Sequence, residues 1–67
     1  MVEEIRERHC REYHASQRKE YNEKRQKKED DSHIWSLMLG FELALYLAGH
    51  QALSDELSEL RQKECPI

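Results

Sequence analysis

Three side chains near the start of the sequence, His9, Cys10 and His14, are of types that bind metal ions or act in nucleophilic catalysis. On a helix Cys10 and His14 stand one turn apart, so both can face one ion. A zinc site normally has four ligands, however, and the other histidines and the second cysteine do not converge on this pair in a simple hairpin. A cysteine nucleophile would also need an oxyanion hole and a positioned base. We therefore predict no metal, no cofactor and no enzymatic activity.

The second polar feature is a basic stretch over residues 18–28, RKEYNEKRQKK, in which six cations outnumber two glutamates. A basic helix doubled by dimerisation can lie along nucleic-acid phosphates, although such a run is also typical of a solvated helix face. A basic helix followed by an apolar dimerisation helix is similar in plan to basic helix–loop–helix proteins, a likeness of architecture alone. The candidate nucleic-acid contacts are Arg18, Lys19, Lys24, Arg25, Lys27 and Lys28.

These polar residues must be positioned by packing against an apolar run over residues 34–48, IWSLMLGFELALYLA. Only Ser36 and Glu42 of this run are polar. Fifteen residues exceed an ordinary strand, and the Leu, Met and Ala content favours an α-helix. Residues 30–32, Asp-Asp-Ser, supply acceptors for a helix start. Glu42 is expected to face solvent or to find a basic partner such as Arg18 or Lys19, and Trp35 to anchor the packing.

Apolar residues fall on two faces of this helix rather than one. One stripe consists of Ile34, Met38, Phe41, Leu45, Ala48 and Ala52. The other has the alternating spacing of a helix-packing seam and is the predicted oligomer interface: Leu39, Leu43, Tyr46, His50, Leu53, Leu57 and Leu60. Because the first half of the chain has few apolar residues to cover both, we expect an obligate homodimer or higher homo-oligomer.

The predicted fold is all-α: an antiparallel helical hairpin that assembles as a homodimeric helical bundle. It has one domain over 1–67, with helix 1 at about 2–29, a turn at 30–32, helix 2 at about 33–63 and an exposed tail at 64–67. Folding back at that turn pairs Tyr21 with Phe41, Ile5 with Leu57 and Val2 with Leu60.

Gly49 permits a different ending, with a break at 49–54 and a short third helix over 55–63. The leucine spacing continues through Gly49 without a phase change, and a continuous helix is therefore the favoured interpretation.

Composition limits the classes of protein that remain. A chain of 67 residues with 37% charged residues and a net charge of −3 is short, helical and not generally basic. Two distant cysteines and an amino terminus without an apolar segment predict reduced thiols and a cytoplasmic location. A membrane-inserted helix is a second alternative, although the central run falls short of the roughly twenty residues that a span needs and contains Glu42.

Taken together, these patterns predict a small non-enzymatic, homo-oligomeric helical protein that regulates or inhibits another macromolecule by binding it. By association alone, short chains of this kind include accessory proteins of phages and mobile elements. The other macromolecule is expected to be a protein. The first alternative is a dimeric DNA-binding protein that uses residues 18–28.

Overall fold

The computed structural model describes the backbone of residues 2–65 and the side chains of residues 7–65. This part of the chain is all-α, as predicted, with three helices: α1 (Val2–Gln26), α2 (Ser32–Leu47) and α3 (Gln51–Glu64). Each helix contacts the other two, and the bundle measures 40 × 19 × 18 Å. The described helices are therefore arranged as an up-down-up bundle rather than as a two-helix hairpin.

The first chain reversal occurs at Lys28, earlier than the predicted turn at 30–32. Lys28 has φ 58°, and the N–H groups of Lys28 and Glu29 donate to the carbonyls of Arg25 and Lys24. This pair of bonds is the Schellman motif that ends many helices. A left-handed residue is usually glycine, so a lysine at this position is not a recognisable helix stop in the sequence.

The second chain reversal occurs at Gly49. The favoured prediction of a continuous helix over 33–63 is therefore wrong. Gly49 has φ 93°, and the N–H groups of Gly49 and His50 donate to the carbonyls of Tyr46 and Leu45. The same Schellman arrangement thus ends α2, here with the glycine that it favours. The break follows Leu47 directly, and α3 begins at Gln51, four residues before the short helix considered from the sequence.

The start of α2 uses the predicted polar residues in a different way. The side chain of Asp31, the N-cap residue, makes no capping bond. Instead, the Asp30 carboxylate accepts hydrogen bonds from the N–H of Ser32 at 3.1 Å and from its hydroxyl at 2.8 Å. The hydrogen bonds lower the pKa of Asp30 below its ordinary value. These two bonds form a local turn immediately before α2.

The apolar core lies between the helices and is small. Tyr21, Ile34, Met38 and Cys65 form one buried cluster, and Trp35 packs against it as the predicted anchor. Leu53 and Leu57 of α3 are also buried.

The helix register differs from the predicted one. Tyr21 packs with Ile34 and Met38 rather than with Phe41, whose ring lies 4.8 Å from that of Tyr13. The offset follows from the earlier reversal at Lys28. The predicted pairs of Ile5 and Val2 fall outside the described side chains.

Cys65 is buried, which corrects the prediction of an exposed tail at that residue; residues 66–67 lie outside the described part. Its side chain is 1% exposed, and its thiol donates to the carbonyl of Arg18 at 3.8 Å. Burial raises the pKa of the Cys65 thiol, which disfavours the reactive thiolate. Cys10, by contrast, is half-buried.

We therefore expect two separate rates of thiol modification. With a colorimetric disulfide reagent, Cys10 should react rapidly, whereas Cys65 should react about a hundredfold more slowly, through unfolding. Cys10→Ser is the control and should remove the rapid phase alone. Equal rates for the two thiols would contradict the burial of Cys65.

Candidate functional site

A carboxylate lies at the centre of the bundle. Glu42, in the middle of the apolar run of α2, is 3% exposed and binds both neighbouring helices. One of its oxygens accepts from His14 Nε2 of α1 at 2.8 Å. Both oxygens accept from Arg61 Nε of α3, at 2.8 and 3.1 Å. A buried charge is tolerated only when it is paired in this way, so Glu42 fixes how three helices meet.

His14 is the second member of this site and is fully buried. Its Nδ1 contacts Arg18 Nη1, which can only donate, and its Nε2 faces the Glu42 carboxylate, which can only accept. The neutral imidazole with the proton on Nε2 satisfies both neighbours. Burial lowers the pKa of His14 below its ordinary value, and the nearby Arg18 and Arg61 charges act in the same direction, while the hydrogen bond to Glu42 opposes them.

The two arginines complete what we call the buried polar cluster, defined as His14, Arg18, Glu42 and Arg61. Arg18 Nε donates to Glu64 of α3 at 3.1 Å. Arg61 Nη2 donates to the Ser58 hydroxyl at 3.3 Å, and the guanidinium lies 4.8 Å from the centre of the Trp35 ring. With Glu64 included, two cations face two anions around a neutral histidine, so the charges balance.

The structure shows where Glu42 and the histidines considered as metal ligands lie. Glu42 neither faces solvent nor contacts Arg18 or Lys19 directly; its partner on α1 is His14, which in turn contacts Arg18. His14 is turned into the bundle, whereas His9 is exposed at the surface. Among the described residues, no three His, Cys, Asp or Glu side chains are grouped so that they could hold a metal ion.

Both ring nitrogens of His14 and both oxygens of Glu42 are thus engaged in contacts within the chain.

The outer side of α2 forms the most distinctive surface of the described chain. We call it the α2 face and define it by five large apolar side chains: Leu37, Leu39, Leu43, Tyr46 and Leu47. Their exposed fractions run from 42% for Leu39 to 77% for Leu47. The charged residue of α2 (Ser32–Leu47), Glu42, points into the bundle instead. Exposed apolar side chains grouped on one helix are typical of interaction sites.

The predicted seam is divided between this surface and the core. Leu39, Leu43 and Tyr46 are exposed, as is His50. Leu60 is half-buried, while Leu53 and Leu57 are covered by the chain's own helices. Leu53 and Leu57 therefore offer no surface to a second copy. Leu37 and Leu47 were missed because neither falls on the spacing of the two stripes.

The basic stretch is divided as well. Arg18 is buried and paired with Glu64, so it does not extend a surface for phosphate contact. Lys24 is half-buried on α1. The remaining basic residues are exposed, on α1 or in the chain reversal that follows it: Lys19, Arg25, Lys27 and Lys28.

An open groove of about 430 Å³ adjoins the α2 face, between α2 and α3. Its α2 side is formed by Leu39, Glu42, Leu43 and Tyr46, and its α3 side by Ser54, Asp55 and Ser58.

No helix within the described part of the chain combines the length and the hydrophobicity that a membrane span requires.

Comparison of the chain with protein-family models, with curated proteins and with solved structures finds no match.

Proposed function

We propose that this chain is a small non-enzymatic interaction protein that dimerises through the α2 face and binds another macromolecule with its charged outer surfaces. The observation that carries the proposal is the exposure of five large apolar side chains on one uncharged side of α2. The opposite side of α2, with Ile34, Met38 and Glu42, is already occupied by α1 and α3.

A second copy of the chain fits the chemistry of this face. Two such surfaces can meet without burying a charge, because the Glu42 carboxylate lies on the other side of the helix. Burying the exposed parts of the five side chains contributes on the order of 5 kcal/mol per copy. In the adjoining groove, a partner's leucines can contact Leu39, Leu43 and Tyr46 on the α2 side, while Asp55 stays at the α3 side. Since Leu53 and Leu57 are buried within each copy, the dimer is expected to dissociate on dilution into folded monomers.

A binding role, rather than catalysis, is supported by the buried polar cluster, because the ring nitrogens of His14 and the oxygens of Glu42 already have partners within the chain.

The outer side of α1 carries exposed charges of both signs, including Arg8, Glu12, Lys19 and Glu23. Dimerisation would present this surface twice, so a partner with two matching sites gains affinity from both.

Leu47→Asp tests the dimer. Leu47 is 77% exposed, so the substitution should leave the monomer folded, yet it places a charge in the apolar interface. We expect the dimer dissociation constant to rise by roughly tenfold or more, measured by sedimentation equilibrium over a concentration series.

Lys19→Glu, on the exposed side of α1, is the matched control and should leave the dimer unchanged. A wild-type chain that stays monomeric at high concentration would overturn the proposal, as would a dimer that is indifferent to Leu47→Asp and Leu43→Asp alike.

A further inference from the structure

A small pocket lies where α1 meets the start of α2. It has a volume of about 220 Å³ and is lined by Tyr21 of α1 and by Asp31, Ser32 and Trp35 at the start of α2. Asp31 and Trp35 are four positions apart, which places them on the same side of the helix. Tyr21 comes from the neighbouring helix, because it belongs to the core cluster against which Trp35 packs. The fold therefore gathers two aromatic rings and a carboxylate around one pocket.

Two polar groups beside this pocket have no partner in the described part of the chain. The Asp31 side chain makes no capping hydrogen bond to α2, and no ion pair of the described residues includes it. The Trp35 Nε1–H is buried and has no acceptor, although a buried indole N–H usually finds one. The Ser32 hydroxyl, by contrast, already donates to Asp30. The carboxylate of Asp31 is thus available to a ligand, and no hydrogen bond fixes the Trp35 ring.

The charges around the pocket favour a cation over an anion. The Arg61 guanidinium lies 4.8 Å from the centre of the Trp35 ring, but its charge is paired with Glu42 at 2.8 Å. The N-terminus of α2 carries roughly half a positive charge, which the full negative charge of Asp31 exceeds. The contact with Arg61 also shows that the Trp35 ring attracts cations within the chain itself.

We propose that this pocket binds a small organic cation of the quaternary ammonium type, such as the trimethylammonium group of choline. Tryptophan and tyrosine rings attract such a cation through their faces, and the Asp31 carboxylate supplies the opposite charge. The volume of about 220 Å³ suits a compact group, because pockets for drug-sized ligands begin at about 300 Å³. The site does not rest on the proposed dimer, since none of its lining residues belongs to the α2 face.

Trp35 is the single tryptophan of the chain, so its fluorescence reports on this pocket. We expect the fluorescence to change as choline is added at constant ionic strength, and to saturate with a dissociation constant on the order of 1 mM. The matched probe is the neutral carbon analogue of choline, in which a tert-butyl group replaces the trimethylammonium group. It has the same shape without the charge and should bind roughly fivefold more weakly.

Asp31→Asn keeps the shape of the side chain and removes its charge. Because Asp31 makes no capping bond, the fold should persist, while choline binding should weaken by roughly fivefold or more. Glu59→Gln, at an exposed position of α3, is the control and should leave the affinity unchanged. A second measurement, the transfer of NMR saturation from the protein to the methyl protons of choline, follows binding without relying on Trp35.

Vesicles of phosphatidylcholine present the same cation on a lipid surface. Co-sedimentation of the chain with these vesicles, and not with phosphatidylglycerol vesicles, would assign the ligand to a lipid headgroup; choline binding without co-sedimentation would assign it to a free cation. Equal affinity for choline and its carbon analogue would overturn the site, as would choline binding that Asp31→Asn leaves unchanged or an absence of binding in both measurements. A monomeric chain that binds choline would overturn the dimer and leave this site standing.

Discussion

Replacing Glu42 by leucine is expected to destabilise the fold by about 3–5 kcal/mol, the range for removing one partner of a buried ion pair. The substitution leaves the Arg61 guanidinium buried without its carboxylate and the His14 Nε2–H without its acceptor. A small domain has only about 5–15 kcal/mol in total, so the variant should be largely unfolded at moderate temperature. The measurement is urea unfolding followed by the helical circular dichroism signal.

Three further variants show whether the loss comes from the uncompensated charge. Glu42→Gln keeps the side-chain shape and should cost less than Glu42→Leu. Glu42→Leu combined with Arg61→Met removes both charges of the pair and should recover part of the stability, because apolar replacement of a buried pair is often tolerated. Glu56→Gln breaks the exposed bond to Arg11 and should cost less than about 1 kcal/mol.

All of these measurements belong in the Leu47→Asp background or at low concentration, so that dimerisation does not add to the apparent stability. If Glu42→Leu unfolded at the same urea concentration as the unsubstituted chain, the central role of Glu42 would be refuted.

The sequence was sufficient to predict an all-α fold and a helix over the apolar run, because composition and length decide those features locally. It also contained the break at Gly49, but the leucine spacing favoured continuity. That spacing proved misleading. Leu53 and Leu57 keep the phase of the earlier leucines, yet the chain turns back at Gly49, so they face α1 and α2 instead of extending the outer seam.

The buried polar cluster could not be predicted from the sequence, since nothing local distinguishes a buried histidine or arginine from an exposed one. From the sequence, His14 is a metal-ligand candidate without enough companions, Arg18 belongs to the basic stretch, and Arg61 has no predicted role. Glu42 was the single available signal, as a charge inside an apolar run with two suggested cationic partners on helix 1. Its actual partners depend on the register, which the left-handed Lys28 sets and the sequence did not reveal.

The cluster also changes the argument for dimerisation. From the sequence, the first half of the chain has too few apolar residues to cover the second. In the structure, part of the apolar surface is covered by α3, which packs back on α1 and α2. Polar side chains that pair across the interior cover a further part. Apart from Tyr13 of α1, the large apolar side chains that remain exposed among the described residues are the five of the α2 face. The proposed dimer therefore rests on these five residues rather than on the whole seam.

Acidification is expected to weaken the fold through His14 once the pH falls below 6.5, the ordinary pKa of histidine. Protonating its Nδ1 would set an N–H donor against the Arg18 guanidinium. The charge of Arg61 on α3 also disfavours the protonated ring, whereas the Glu42 carboxylate of α2 favours it. The pKa of His14 in the folded chain is therefore lowered below the ordinary value of 6.5. Below that pH the unfolded chain binds a proton that the folded chain does not, so stability falls as the pH falls.

The expected slope is about 1.4 kcal/mol for each pH unit between the lowered pKa of His14 and its ordinary value. It should appear in urea unfolding at pH 7 and pH 6, where the carboxylate of Glu56, whose ordinary pKa of 4.5 is lowered by its bond to Arg11, is ionised in both the folded and the unfolded chain. His14→Gln supplies a neutral donor and acceptor and should flatten the profile, whatever its stability at pH 7. His33→Gln, at an exposed position, should keep the wild-type slope. Should the slope persist in His14→Gln and vanish in His33→Gln, the acid sensitivity would lie at the surface, and the neutral histidine between Arg18 and Glu42 would not be its source.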